Sequence, residues 1–264
     1  MSVAADHLRV RGCYRRVLIV VRDHAWPTTA VQYADAWAAR DAVVHVATVA
    51  EADRGTCAGE YGDRAVRGVA RADAVRCALA ARGLDATQSL VPSARAGANI
   101  RDSIAGLAKR WGADIVLTDE PAPAHIAQAA ACNVLYLPAD VSQRFHVPPR
   151  RLFVASDDSA SARCAVAEAK RVSGSGTLRC AFVSCEPEAQ AGEARAPNTV
   201  VLTAALPGDR LAHAILHAAL EWRADLLIIG THGAGPQARW RYGSVAAAVA
   251  LLTDMPLLVV PEKS

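Results

Sequence analysis

Aromatic residues make up only 5% of this 264-residue chain, and lysine stands only at Lys109, Lys170 and Lys263, so its 29 basic residues are almost all arginine. Few rings means few platforms on which bases could stack. The arginines are scattered along candidate helices and not interleaved with aromatics, which argues against a nucleic-acid groove. A net charge of +3 is too small to imply one. No uninterrupted apolar run reaches the roughly 18 residues of a membrane helix, and no basic stripe suggests a membrane surface. There is no C-x-x-C pair and no Cys/His cluster with zinc spacing. The seven cysteines (Cys13, Cys57, Cys77, Cys132, Cys164, Cys180, Cys185) are odd in number and dispersed, as reduced interior residues of a cytosolic protein would be. The start, Met1 to His7, lacks the basic-then-apolar order of a secretory signal. The expected location is the cytoplasm.

What is present is small and apolar. Hydrophobic residues make up 52% of the chain, largely alanine and valine, which predicts slim helices packed closely on a sheet. The length favours two domains of about 100–200 residues each.

The order of elements repeats. The first half opens with an apolar strand, Arg16 to Val21, followed by Asp23, a helix from Pro27-Thr28 to near Arg40, and a strand from Val43 to Val49. An amphipathic segment, Asp63 to Arg82, predicts a further helix stopped by Gly83. The second half opens with Arg151 to Ala155, then Asp157-Asp158-Ser159 as helix-capping residues, a helix to about Arg171 and a strand from Leu178 to Ser184. Ile104, Trp111 and Asp114 find counterparts in Ile215, Trp222 and Asp225, all offset by 111 residues, with each Trp expected on an amphipathic helix just before an apolar strand. Apolar strands Ile115 to Thr118 and Leu226 to Ile229 follow, and each half closes on a strand ended by proline, at Pro138 and Pro261. Alternating strands and helices mean parallel sheets built from right-handed crossovers. The fold class is therefore α/β: two tandem doubly wound, Rossmann-like domains with mainly parallel five-stranded sheets. Residues 1–140 form the first domain, 141–150 a linker around Pro148-Pro149, and 151–264 the second.

Residues 225 to 261 carry the chemistry. The apolar strand ends at Ile229 with Gly230 as its breaker. Gly233 follows, then a nine-residue spacer, Gly243-Ser244, and an apolar helix from Val245 that stops at Met255-Pro256. Strand, glycine loop and helix start are the parts of a phosphate site: glycine lets backbone approach an anion, and helix amides point at it. The plainer alternative is a loop that needs glycine only for its turns.

The spacing Gly230-x2-Gly233-x9-Gly243-Ser244 resembles the nucleotide motif of the universal stress protein family. The resemblance implies that Gly230 and Gly233 lie along ribose and phosphates, that Gly243, Ser244 and Val245 cap the phosphate chain, and that Ile229 is a further nucleotide-binding residue. It further implies that backbone at Ala155, Ser156 and Val183 meets adenine, and that the Asp157 carboxylate reaches ribose or a hydrated Mg2+. The implied ligand is ATP, with AMP or a cyclic nucleotide not separable by sequence. By the same resemblance the two halves would pair within the chain, leaving room for a further homodimer.

The first half lacks this loop. It reads Asp119-Glu120-Pro121 after its strand, with 15 residues between Thr118 and Val134 against 27 between Ile229 and Leu257. Its carboxylates would repel a triphosphate, so one nucleotide site per chain is expected, and Asp23, placed opposite Asp157, is read as structural. Arg239 and Arg241 lie in the spacer as candidate phosphate partners, and His232 is assigned no role. His213 and His217 fall opposite the apolar stripe of their helix and read as surface residues. No nucleophile, base and acid stand together. The expected role is an ATP-binding stress or signalling protein, not an enzyme beyond slow ATP hydrolysis. The alternative is an interaction module of the same fold that binds no nucleotide.

Overall fold

The structure is a computed structural model and describes residues 12–22, 28–50, 58–92, 99–138, 144–184, 199–203, 208–231 and 245–262. In chain order the first half holds β1 (Tyr14–Val21), α1 (Thr28–Trp37), β2 (Ala38–Ala50), α2 (Ala58–Ala80), β3 (Ala86–Pro92), α3 (Ile100–Trp111), β4 (Ile115–Thr118), α4 (Pro123–Ala130) and β5 (Asn133–Tyr136). The second holds β6 (Arg151–Ser156), α5 (Ala160–Val172), β7 (Thr177–Ser184), β8 (Thr199–Thr203), α6 (Gly208–Glu221), β9 (Leu226–Gly230), α7 (Val245–Leu252) and β10 (Leu257–Val260).

The strands form one ten-stranded sheet in the order β3-β2-β1-β4-β5-β10-β9-β6-β7-β8. Every neighbouring pair is parallel except β5 and β10, which run antiparallel. Each half is thus a doubly wound α/β set of five strands, and the two sets meet edge to edge through their last strands. The repeated aspartates anchor each set. Asp114 accepts hydrogen bonds from the backbone N–H groups of Arg15 and Arg16 at 2.8 and 2.9 Å. Asp225 accepts from those of Arg150 and Arg151, both at 2.9 Å, and from His146 N–H at 3.1 Å, which pins the linker's end. The repeated tryptophans lie under arginines: Arg16 is 4.6 Å from the Trp111 ring centre, and Arg179 is 4.9 Å from that of Trp222.

These anchors align the halves residue by residue. Arg16 corresponds to Arg151 and Asp114 to Asp225, so Ile115 matches Leu226 and, through the strand registers, Asn133 matches Pro256. Leu135 then matches Leu258, and these two residues face each other in the antiparallel pair. The molecule's approximate twofold axis passes between them.

Two apolar layers cover the sheet, and each crosses the junction. One joins α3, α4, α6 and α7 around Ile104, Ile126, Ile215 and Val249. The other joins α1, α2 and α5 around Tyr33, Trp37, Val75, Ala165 and Ala169. Strands β4, β5, β9 and β10 are buried along their whole length, which is why they read as unbroken apolar runs.

On the α5 side the junction holds a polar cluster. Tyr14 Oη donates to Glu168 Oε1 at 2.5 Å, and Asn133 Nδ2 donates to the same oxygen at 2.8 Å. Arg171 Nε donates to Glu168 Oε2 at 3.0 Å, its guanidinium lies over the Tyr14 ring, and it also bonds the Cys13 carbonyl. Tyr14, Asn133 and Glu168 are all buried.

Three expectations shift. Helix α1 ends at Trp37 and not near Arg40, because residues 38–42 enter β2, where Ala38 pairs with Tyr14 ahead of an irregularity in register. Gly230 does not break its strand; it is the last residue of β9 and pairs with Val260. Trp222 stands just past α6 instead of on it. Helix α2 and the left-handed Gly83 after it (φ 74°) match the sequence reading. Among the described residues no helix is long and apolar enough to cross a membrane.

Candidate functional site

In the second half the chain leaves β6 toward β7 on one side and returns through β9 on the other, so strand order switches between β6 and β9. Ligands of open α/β sheets bind at the carboxyl ends of strands at such a point. Ala155 and Ile229 are register partners there, Ser156 and Gly230 end their strands, and Val183 lies near the end of β7. All five are buried. Val245 opens α7. The structure thus brings Ala155, Ser156, Val183, Ile229 and Gly230 to one end of the sheet, with Asp157 directly beyond Ser156. Gly233, Gly243 and Ser244, with His232, Arg239 and Arg241, lie outside the described residues.

The turn after β6 is built by short polar side chains. Asp157 Oδ1 accepts from the Ser159 N–H at 3.1 Å, and Asp158 takes a left-handed conformation with φ 60°. Ser159 caps α5 by accepting from the Ala162 N–H at 3.1 Å. Asp157 is half-buried, with one carboxylate oxygen committed to this turn. Burial, followed by the nearby Asp158 charge, raises the Cys180 thiol's pKa above its ordinary value.

The sequence reading missed a set of buried hydroxyls, Ser156, Ser159, Ser161 and Thr231, around Gly230. A Cβ at position 230 would stand 2.6 Å from Ser161 Oγ, 2.7 Å from Ser161 C and 2.9 Å from Ala162 N. The first turn of α5 is therefore packed against β9 where only glycine fits. The serine-rich start of α5 was the available signal, but nothing in the sequence shows that it touches Gly230.

The corresponding end of the first half has opposite chemistry. The strand register sets Arg22, not Asp23, opposite Asp157, which corrects the sequence alignment; Asp23 lies outside the described residues. Asp119 stands where Gly230 is, and Glu120 where Thr231 is. Arg22 Nη1 lies 3.0 Å from Glu120 Oε2 and Nε 4.0 Å from Asp119 Oδ1, all three side chains being largely buried. Burial, and then the Asp119 and Glu120 charges, raise the Tyr136 hydroxyl's pKa beside them. An internal ion pair occupies this end.

His213 and His217 are exposed on α6, with His217 Nδ1 3.6 Å from Glu221, as their helical position foretold. Among the described residues no three His, Cys, Asp or Glu side chains come together as a metal site. Cys13, Cys77, Cys132, Cys164 and Cys180 are free thiols.

Residues 181–261 match the Universal stress protein family model. That span begins in β7 and contains Val183, Ile229, Gly230, Gly233, Gly243, Ser244 and Val245, but not Ala155, Ser156 or Asp157. Comparison with curated proteins gives no match. Among solved structures, a universal stress protein from Archaeoglobus fulgidus is 15% identical, with a TM-score of 0.64 over 94% of this chain and 97% of that one. A functionally unknown protein from Pseudomonas aeruginosa is also 15% identical, with a TM-score of 0.61 over 94% and 93%. At that identity the likeness is one of fold.

Proposed function

We propose that this is a cytoplasmic, nucleotide-responsive protein of the universal stress type with one adenine-nucleotide site, at the β6–β9 end of its second half. The reading takes residues 1–140 and 151–264 as domains and 141–150 as their linker. One observation carries it. At aligned positions the second half has Asp157, Gly230 and Thr231, while the first has Arg22, Asp119 and Glu120. One end keeps small residues and a carboxylate ahead of the glycine motif; the other is filled by its own salt bridge.

The residues fit such a ligand. Ala155, Ser156, Gly230 and Thr231 are small residues at the strand ends, and Asp157 follows directly beyond Ser156 with one carboxylate oxygen bonded to the Ser159 N–H. In this reading Gly233, Gly243, Ser244 and Val245 hold phosphates through backbone amides, and Asp157 binds ribose or the shell of a Mg2+ ion. A bound Mg2+ would neutralise phosphate charge. The protein's own part is to bind and orient, with ATP turnover slow or absent.

Calorimetric titration with Mg-ATP tests this. The expected stoichiometry is one per chain, with affinity weakened about tenfold by Asp157→Ala and unchanged by Arg22→Ala. Two sites, or none, would overturn it. Gly230→Ala is unsuitable as a probe, since the new methyl collides with α5 whether or not nucleotide binds.

That same packing favours the second reading, a module without nucleotide, because it gives Gly230 a purpose independent of any ligand. Thermal melting separates the two. Ligand at 100 times its dissociation constant adds about 2.7 kcal/mol, and an unshifted melt would select the module.

A further inference from the structure

We infer that the Tyr14–Asn133–Glu168–Arg171 cluster makes the two halves partners only of each other, so that the surface around β5 and β10 accepts the unlike half and rejects a like half from a second copy of this chain. The axis between Leu135 and Leu258 would otherwise permit three pairings of nearly the same geometry: first with second, first with first, and second with second. Both halves bring an apolar last strand, so the strands alone discriminate weakly.

The cluster discriminates because it is not symmetric. By the alignment above, the counterpart of Tyr14 is Pro149 and that of Asn133 is Pro256. Both prolines are buried, and neither offers a side-chain donor or a backbone N–H. A second half pairing with its own kind would set Glu168 against Pro149 and Pro256. The buried carboxylate would lose the Tyr14 and Asn133 hydrogen bonds and keep only Arg171 from its own helix. A first half pairing with its own kind would set Tyr14 and Asn133 against α1, whose buried residues Ala30, Val31, Tyr33, Ala34 and Trp37 include no carboxylate. Only the unlike pair gives Glu168 the Tyr14 and Asn133 hydrogen bonds beside its Arg171 salt bridge, and leaves neither of those buried donors without its carboxylate; a buried polar group without its partner is unfavourable.

The test uses the full chain with thiols placed on the axis. Under oxidation, Leu135→Cys with Leu258→Cys should link within one chain, which shows that opposed positions can react. Leu258→Cys alone should give no link between the position-258 thiols of two chains after refolding at high concentration, as read by peptide mass spectrometry. The same single thiol in a chain carrying Tyr14→Phe, Asn133→Leu and Glu168→Leu should raise that intermolecular product about tenfold or more. Circular dichroism confirms that this chain is folded. Like-with-like links in the chain with its cluster intact, or their absence in the folded apolar variant, would overturn the inference. So would failure of the double variant to link within the chain. The first of these results does not depend on how the apolar variant folds.

Discussion

At the scale of single residues, His45 should give this protein a measurable acid sensitivity. Both its ring nitrogens lie 2.8 Å from hydroxyls, of Thr87 and Ser89, and the ring lies beside Trp111. Burial lowers its pKa below the ordinary 6.5. As pH falls through 6.5 the unfolded chain takes up this proton before the folded one does, so His45's contribution is complete above 6.5 and declines below it. The stability gap between the native chain and His45→Gln should shrink as pH falls below 6.5 in urea titrations, where a constant gap would refute the assignment. Glu168→Ala should cost about 1–3 kcal/mol, because it strands the buried Tyr14 and Asn133 donors, while the exposed Arg171 charge can turn to water. Gly230→Ala should cost about 1–3 kcal/mol, and adding Ser161→Ala should not rescue it, since backbone atoms of Ser161 and Ala162 also stand in the way. Residue chemistry was partly legible in the sequence. Ser159 as a cap and the exposed His213 and His217 follow from local pattern and helical period. That Arg22 and not Asp23 faces the position of Asp157 depends on strand register across nearly 100 residues, and no local pattern encodes it.

At the scale of elements, α5 is the helix with most at stake, because its two ends serve different parts of the molecule. Its first turn packs under Gly230, and its last turns carry Glu168 and Arg171 to the junction. Ser159→Ala removes its cap and should lower stability by about 1 kcal/mol without changing the pairing of the halves, as denaturant titration and sedimentation would show. Elements buried on both faces were the easiest to foresee. The run Leu257–Val260 has no polar residue to shift the reading and Ile115–Thr118 has one only at its end, and both strands lie where the sequence placed them. The α1–β2 boundary was not legible, because Ala38-Ala39-Arg40-Asp41-Ala42 suits a helix as well as a strand. Pairing of Ala38 with Tyr14 and burial of Trp37 decided it, and both are tertiary contacts.

At the scale of the whole molecule, both apolar layers run across the junction, so the halves have no separate cores to melt one at a time. Calorimetry should record one unfolding transition with calorimetric and van't Hoff enthalpies in a ratio of about 1, whereas two resolved transitions would contradict the shared layers. The repeat, the α/β class and the presence of the glycine loop in one half alone were visible in the sequence. The joining of the two sets into one ten-stranded sheet was not, since no spacing in a chain reports which strand edges meet. The antiparallel contact of β5 with β10 also bears on how such a protein can change over generations. When two separate copies of one gene product meet across an axis, every substitution appears on both sides at once. Here the two sides are different codons of a single reading frame. Arg22 and Asp157, at aligned positions, can therefore change one without the other, and a substitution at one end of the molecule leaves the other end as it was.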